Sequence, residues 1–517
     1  MLKEKLHEEV YFYSLVLLAV SLPLSLFMIS VSQFLLLTNW MLEGRFKEKF
    51  FVLSKNKFAL LLVSFFVLHL VGLIYTSDFS NAMNDIRVKL PILLLPVLTA
   101  SSRKISLNKI NSLLCFFIFA VTVASLISLY RFINYDISDI RQISPFISHI
   151  RFALLICISV FSLFYLIFIN SQLNKFQKLL SFILSGWLIF FLVLMESITG
   201  IFILLVNFMF ILIYIIVKNK NLLIRSSLTL LILIILVGIF FYLKPIYNSV
   251  YSTQQTDISK LPSNTDSGNL YTHNLLNKET ENGYYVWLYV CEDELRNEWN
   301  KRSKYYYDSL DQKKQEIKYT LIRFLTSKGF TKDAAGVRKL NEAEINSVEK
   351  GIANVLYQQK SNIGARIHQI LWEVKVYNQK DFCNNHSVAQ RFEFWKASFG
   401  IIKQNFWVGV GTGDIKIAFN DEYIKMKSSL SKENRWHSHN QFLTIFVAFG
   451  VFGFLLFVLI FFYPIVSGLV KNDFLYYTFF ITALLSMLSE DTLETQAGVT
   501  FFMFFTSLLV FVKQKDK

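Results

Sequence analysis

Long apolar runs constrain the fold of this chain more than any other feature of its sequence. Several of them approach or exceed the ~18–20 apolar residues with which a helix crosses ~30 Å of hydrocarbon. Hydrophobic residues make up 54% of the chain and charged residues 17%, whereas ordinary soluble domains carry about 25% charged residues. The sequence therefore predicts an all-α polytopic membrane protein.

The apolar runs predict about twelve transmembrane helices. The first run, 11–42, contains Pro23 and is too long for one comfortable helix, so we divide it into two spans. A large polar segment separates the ninth span from the tenth. This predicts an N-terminal membrane domain over 1–243, a loop domain over 244–439 and a C-terminal membrane segment over 440–517. The predicted spans are 11–25, 27–42, 58–75, 88–100, 110–133, 150–169, 179–195, 198–217, 222–243, 440–467, 474–489 and 496–512.

The distribution of Lys and Arg predicts the orientation of these spans. With the N-terminus inside, the cytoplasmic connections include the basic stretches 45–57, 103–109 and 218–225. The short connections on the other side are poorer in bases and carry acids such as Glu196 and Glu490. This asymmetry follows the positive-inside pattern, so both termini are predicted to be cytoplasmic and the long loop external. The net charge of +15 is then explained by membrane anchoring and requires no nucleic-acid partner.

The external loop is predicted to be mostly helical after an irregular beginning. Apolar spacing indicates a helix over 303–325, a capping-box pattern opens another at Asn341, and a further helix begins at Ser387. Cys291 and Cys383 could form a disulfide if the loop is external, and the sequence leaves this pairing open.

Two histidines end the external loop. His437, His439 and Asn440 directly precede the apolar run 440–467. An imidazole at a membrane surface can do proton chemistry on a substrate that the membrane holds. In the alternative interpretation, these polar residues only mark the start of a helix. The His-X-His spacing could seat a metal ion, but no Cys or carboxylate completes a ligand set nearby in the sequence, so we predict no metal.

Arginines on the predicted outer side point to an anionic ligand. Arg151 opens the sixth span, and Arg141 precedes it. A guanidinium pairs bidentately with phosphate oxygens, although an arginine near the end of a span can also simply extend to the interface. The glycine-rich stretch 409–413 lacks the Lys-Ser/Thr ending of a nucleotide-binding loop. We predict that its glycines form turns that shape the site.

The order of four motifs resembles a known family. The motifs are Arg391-X3-Trp395, Gly409-Val-Gly411-Thr-Gly413, His439-Asn440-X2-Leu443 and Gly450-X2-Gly453. With the layout of spans around one large loop, this order resembles the O-antigen ligase / O-antigen polymerase superfamily of bacterial envelope proteins. The O-antigen ligase branch of Bacteroidetes type is the most similar. The resemblance of the motifs covers about 387–453.

The resemblance implies a glycosyltransferase on the periplasmic face of the bacterial inner membrane. The donor would be an undecaprenyl-pyrophosphate-linked glycan and the acceptor a sugar hydroxyl of lipid A-core, with neither a metal nor another cofactor. His439 would act as the general base and Arg391 would bind the pyrophosphate, with His437, Asn440 and Trp395 in supporting roles.

One position departs from the family. Many members have an arginine directly after a serine at the start of the eighth span, whereas this chain has Ile198 after Ser197. Arg151, with Arg141, is the predicted replacement in donor binding. The alternatives left open are a polymerase that joins lipid-linked repeats and a ligase that glycosylates protein. Outside this class, the chain could be a transporter or flippase, or a non-catalytic envelope protein.

Overall fold

The computed structural model describes residues 2–135, 140–169, 173–253, 260–358, 362–380, 383–384 and 386–513. By the contacts within it, the chain forms two compact units. The first unit contains residues 1–214 and 383–517, and the second contains residues 215–382.

The structure is 73% helical. Every predicted span falls on a helix, and the run 11–42 is divided into α1 and α2 as predicted. The α-helices of the described residues are α1 (Leu2–Leu24), α2 (Leu26–Glu43), α3 (Phe46–Lys55), α4 (Lys57–Val71), α5 (Phe79–Ala100), α6 (Leu107–Asn134), α7 (His149–Phe168), α8 (Lys175–Leu194), α9 (Ile198–Lys218), α10 (Leu222–Tyr251), α11 (Glu292–Arg302), α12 (Ile317–Ser327), α13 (Ala334–Arg338), α14 (Glu342–Glu349), α15 (Ile363–Lys380), α16 (Ser387–Gln404), α17 (Ile415–Lys425), α18 (Gln441–Val466), α19 (Phe474–Ser489) and α20 (Gln496–Ser507).

Seven of the described helices are long and apolar enough to cross a membrane, or eight if α3 and α4, which meet at a bend of 94°, form one span. The seven are α2, α6, α7, α8, α9, α10 and α18. The last two apolar helices are shorter, and the second of them continues beyond α20 to Val512 as a π-helix. The chain is therefore an all-α polytopic membrane protein, whereas the count of twelve spans stays a prediction.

The core of the first unit is built from these apolar helices. Helix α1 packs against α2 and α6, α5 packs against α4 and α20, and α7 packs against α8 and α19. Among the seven candidate spans, α7 is the most enclosed, with 83% of its apolar window buried inside the protein. Its first turn carries Arg151, so this arginine enters the unit on its most enclosed span.

Helix α18 is broken at Gly450, where φ is 62° and ψ is −163°. A break inside an apolar helix leaves backbone groups without helical partners, which costs several kcal/mol per group in hydrocarbon. The glycine-rich stretch 409–413 and the residues before it compensate for this break. The hydrogen bonds run from Val410 N to Val447 O at 2.9 Å, from Gly411 N to Ala448 O at 2.9 Å and from Val451 N to Phe406 O at 2.8 Å.

The close approach of these two backbones explains why glycine stands at Gly409 and Gly450. Both have a positive φ. A Cβ added at Gly409 would lie 2.4 Å from the backbone of Ala448, and one added at Gly450 would lie 2.3 Å from the backbone of Trp407. The predicted glycine turns are present, and they allow the loop 409–413 to pack closely against α18 where this helix is broken.

The second unit contains α10 to α15 and a two-stranded antiparallel hairpin of β1 (Thr280–Glu281) and β2 (Tyr284–Tyr285). Its core includes Trp299, Leu321 and Phe324, which are fully buried. The predicted helix over 303–325 begins only at Ile317, because Asp311 folds the chain into a turn by accepting from the backbone N–H groups of Lys313 and Gln315.

Two other predictions for the loop have different outcomes. Asn341 begins α14 with the predicted capping box. No disulfide joins Cys291 to Cys383 in the structure. The domain boundaries predicted after residues 243 and 439 were defined by the side of the membrane on which each segment lies, whereas the two compact units are defined by contacts within the chain. These boundaries therefore stay predictions.

Candidate active site

An acidic turn joins α19 to α20 and organises the candidate site. Glu490 follows the last residue of α19, and Asp491 precedes a 3-10 turn at Thr492–Glu494. The side chain of Asp491 is buried, with 4% of its surface exposed, and that of Glu490 is 17% exposed. The sequence did not decide what these acids pair with. The structure pairs each of them with a histidine.

Asp491 fixes the segment that carries both histidines. Its carboxylate accepts hydrogen bonds from Nδ1 of His437 at 2.5 Å and from the backbone N–H of His439 at 2.8 Å. The hydroxyls of Ser438 and Thr444 donate to its other oxygen at 3.2 and 2.7 Å. Four donors compensate for the burial of one negative charge, and they tie the histidine segment to the start of α18.

The pair of Asp491 and His437 favours the charged form of both groups. Burial raises the pKa of Asp491, but the hydrogen bond and the charge of His437 outweigh it, so that the pKa lies below its ordinary value. Burial lowers the pKa of His437, but the hydrogen bond and the charge of Asp491 raise it above its ordinary value of 6.5. The structure therefore favours a cationic His437.

Glu490 connects an arginine to the second histidine. Its Oε1 accepts from Nη2 of Arg391 at 2.6 Å, and its Oε2 lies 3.3 Å from Nδ1 of His439. With Nδ1 directed at a carboxylate, Nε2 of His439 has no hydrogen-bond partner among the described residues. An imidazole held in this way presents the lone pair of Nε2 as a base.

Helix α16 supplies three side chains of the site. Arg391, Phe394 and Trp395 are three and four residues apart, so they share one face of the helix. The ring of Phe394 lies 5.4 Å from that of His439 with an angle of 27° between the planes. Nε1 of Trp395 donates to the carbonyl of Ser438 at 3.1 Å. One helix face thus positions both the arginine and the backbone next to the predicted base.

The backbone at His439 has a left-handed conformation with a φ of 47°, which is uncommon for a residue other than glycine. Directly after it, Asn440 caps α18 by accepting from the N–H of Leu443 at 3.1 Å, and its amide donates to the carbonyl of Leu488 at 3.0 Å. Asn440 therefore marks a helix start, and the residues before it also meet two carboxylates. The two interpretations of this stretch are compatible.

Arg151 is connected to the site by charge. It lies in the first turn of α7, where its Nη1 donates to the hydroxyl of Ser148 at 3.0 Å. Burial disfavours the charge of its guanidinium, and the negative charges of Glu490 and Asp491 offset this only in part. Its Nε is buried and has no acceptor among the described residues. The geometry is thus compatible with the predicted role of Arg151 in binding an anion.

Arg141 and Ile198 are placed differently. Arg141 is exposed on a 3-10 turn at Ile140–Gln142. Within the described chain, the hydrogen bonds and ion pairs of His439 and Glu490 do not include it. Ile198 begins α9, where the hydroxyl of Ser197 accepts from the N–H of Gly200 at 3.3 Å. Donor binding by Arg141 stays a prediction that this geometry does not support.

The fold, rather than the sequence order, brings carboxylates to the histidines. The sequence predicts no metal because no Cys or carboxylate near His437 completes a ligand set, yet Glu490 and Asp491 reach the histidine segment from a later turn. In the described part of the chain, no group of three or more His, Cys, Asp and Glu side chains could hold a metal ion. The geometry assigns these two acids to hydrogen bonds with the imidazoles.

Part of the chain matches a known protein family. A family model described as O-antigen ligase matches residues 351–458, the stretch that contains Arg391, Trp395 and His439. This segment is similar to the O-antigen ligase family. The match confirms the superfamily that the motif order indicated, whereas the Bacteroidetes branch stays a prediction. No curated protein matches the chain.

The O-antigen ligase match supports a glycosyltransferase activity of ligase or polymerase type. Three charged residues of the site, Arg151, Glu490 and Asp491, lie outside the matched segment. The available signal for the two acids was their position directly after an apolar run on the predicted outer side. Only the fold shows which side chains they contact.

Proposed function

We propose that this protein transfers a glycan from undecaprenyl pyrophosphate to a sugar hydroxyl of lipid A-core, on the periplasmic face of the inner membrane. The arrangement of Arg391, Glu490 and His439 is the main support for this function. It combines an anion-binding group with a carboxylate-held imidazole in a segment of the O-antigen ligase family.

His439 would act on the acceptor. Its Nε2 would take the proton of the acceptor hydroxyl while the oxygen attacks the anomeric carbon of the donor glycan. Proton transfer to a positioned side chain typically contributes about 10²–10⁴-fold to the rate. The direction of Nδ1 toward Glu490 supports this role, because it leaves Nε2 available for the substrate.

The arginines would act on the donor. As the bond between the anomeric carbon and the phosphate oxygen breaks, its electron pair goes to the pyrophosphate. Arg391 would offset the charge that develops there, and fixed cationic groups of this kind often supply the largest catalytic term. The Nε atoms of Arg391 and Arg151 are buried and have no hydrogen-bond partner in the described part of the chain, which supports a site for phosphate oxygens.

Deleting the protein and separating the surface glycolipids on a gel tests this function. Loss of a ligase leaves bare lipid A-core while long lipid-linked polymer accumulates, and the wild-type gene should restore the normal pattern. A His439→Ala gene should leave the deletion pattern unchanged, whereas a His273→Ala gene, altered in the second unit, should restore the normal one. Core capped by a single repeat would instead assign the polymerase reaction, and an unchanged glycolipid profile would contradict both.

A further inference from the structure

The carboxylate of Glu490 divides its two oxygens between unequal partners. Oε1 lies 2.6 Å from Nη2 of Arg391, which is a short charge-assisted hydrogen bond. Oε2 lies 3.3 Å from Nδ1 of His439, which is longer than the usual ~2.9–3.0 Å of an N–H···O bond. Without a ligand, Glu490 is therefore engaged mainly by the arginine and only weakly by the imidazole.

Arg391 has donors left for a further anion. Its Nε is buried and has no hydrogen-bond partner among the described residues, and its Nη1 donates to the carbonyl of Ser387 at 3.2 Å. A buried donor without an acceptor costs about 1–3 kcal/mol. A diphosphate offers several oxygens in the geometry of a guanidinium and more negative charge than one carboxylate. It can therefore compete with Glu490 for this arginine.

The neighbouring acid cannot make the same exchange. Asp491 is buried and accepts four hydrogen bonds, from the side chains of His437, Ser438 and Thr444 and from the backbone of His439. The side chain of Glu490 has two hydrogen-bonding or ion-pair partners among the residues that the structure describes, and it is more exposed. Of the two carboxylates, Glu490 is the one that is free to exchange partners.

We propose that Glu490 is a positioning residue that couples donor binding to activation of the base. The diphosphate of the donor takes Arg391 from Glu490, and the released carboxylate closes on the Nδ1–H of His439. This inference rests on the proposed function. The proton of the acceptor hydroxyl then moves to Nε2 of His439, the new glycosidic bond forms, and the diphosphate leaves with the electron pair of the broken bond. The acceptor is activated only once a donor is in place.

The coupling is tested by measuring separately how one substitution changes the KM for the donor and how it changes kcat. With the purified full-length protein in lipid nanodiscs, initial rates are measured against the concentration of the lipid-linked donor for the wild type and for Glu490→Gln. Glutamine keeps the shape of the side chain but removes its charge. The KM for the donor should fall, because Arg391 is no longer held, and kcat should fall about 10²-fold, because His439 loses its carboxylate.

Two matched variants separate positioning from a merely structural role. Glu490→Asp should recover part of the lost kcat, and Glu433→Gln, at an exposed glutamate of the same unit, should leave both parameters unchanged. If Glu490 only supported the fold around Arg391, Glu490→Gln would raise the KM for the donor. That result, or an unchanged kcat, would overturn the coupling.

Binding of inorganic pyrophosphate, measured by calorimetry, needs no glycan chemistry and so separates the two proposals. Tighter binding by Glu490→Gln than by the wild type is expected. If this occurs in a protein that transfers no glycan, the proposed function fails while the competition between pyrophosphate and Glu490 is upheld. Equal or weaker binding by Glu490→Gln overturns the competition, even if the wild type is an active transferase.

Discussion

The Asp491 side of the site and the Glu490 side differ in how firmly their carboxylates are held, although the two residues are consecutive. Asp491 is buried and accepts four hydrogen bonds that fix the histidine segment to the start of α18. Glu490 has two partners, and one of them lies at 3.3 Å. Asp491 therefore holds the histidine segment in place, while Glu490 can exchange one of its partners for a substrate.

The glycine-rich stretch 409–413 belongs with the Asp491 side. It satisfies backbone groups where α18 breaks at Gly450, and Asp491 ties the beginning of the same helix. Both devices stabilise the N-terminal part of α18, next to the predicted base. Substitutions on this side should affect folding, whereas substitutions on the Glu490 side should affect the reaction.

Removing Asp491 should have the largest effect. Asp491→Ala leaves the imidazolium of His437 and the backbone N–H of His439 without their acceptor, so the free energy of unfolding should fall by about 3 kcal/mol. The matched change Glu490→Ala should cost about 1 kcal/mol or less. Thermal unfolding of the purified full chain in detergent measures both. Similar losses in the two variants would remove the distinction between the two sides.

Removing Arg391 should chiefly affect the rate. Arg391→Ala should lower kcat by about 10²–10³-fold, because the leaving diphosphate loses a fixed cation, while the Tm changes little. Arg435→Ala serves as the control, since the side chain of Arg435 contacts the carbonyl of Leu430, the side chain of Asn420 and the ring of Tyr423, none of which belongs to the site. An equal loss of rate in both variants would mean that the charge of Arg391 has no special role.

A methyl group at Gly409 should destabilise the fold moderately. Gly409→Ala places a Cβ 2.4 Å from the backbone of Ala448 and forces alanine into a positive φ. The left-handed conformation alone costs roughly 1–2 kcal/mol, and the close contact adds to it. Gly186→Ala, in α8 with open space around its Cβ position, should not lower the Tm. A tolerated Gly409→Ala would show that the loop does not need this close approach.

The smallest effect should be a dependence of stability on pH. The raised pKa of His437 means that its contribution is complete below about pH 6.5 and is lost as the pH rises through the folded-state value. The lowered pKa of Asp491 means that its contribution is present above about pH 4 and is lost on further acidification. The difference in Tm between the wild type and His437→Gln should therefore be larger at pH 5 than at pH 9. A difference that grows toward pH 9 would contradict a cationic His437.

Local sequence patterns were sufficient for the helices and for part of the site. Apolar runs of membrane length predicted where helices occur, and the family resemblance singled out Arg391 and His439, which both meet Glu490 in the fold. Their roles stay proposals. The break at Gly450 was not predicted, since 440–467 is one continuous apolar run and the glycines within it, Gly450 and Gly453, do not by themselves specify a change of direction. Only the loop that meets Val447 and Ala448 reveals the break.

The acids were missed for a related reason. Glu490 contacts Arg391 and His439 across long stretches of chain, and hydrophobic periodicity carries no information on such contacts. The fold also corrects the basis of the metal prediction, because acids distant in sequence do reach the histidines. Arg141 was selected only because it lies on the predicted outer side of the membrane, and its role in donor binding stays a prediction.

In the proposed reaction, His439 removes the proton from the acceptor hydroxyl. The most direct test of this step is the initial rate at which purified protein in nanodiscs transfers a labelled glycan from the lipid-linked donor to the acceptor. His439→Ala should reduce the rate by about 10² or more at unchanged Tm, while His273→Ala in the second unit should keep the wild-type rate. A His439→Ala protein that transfers glycan at the wild-type rate would contradict the assignment of this histidine as the base.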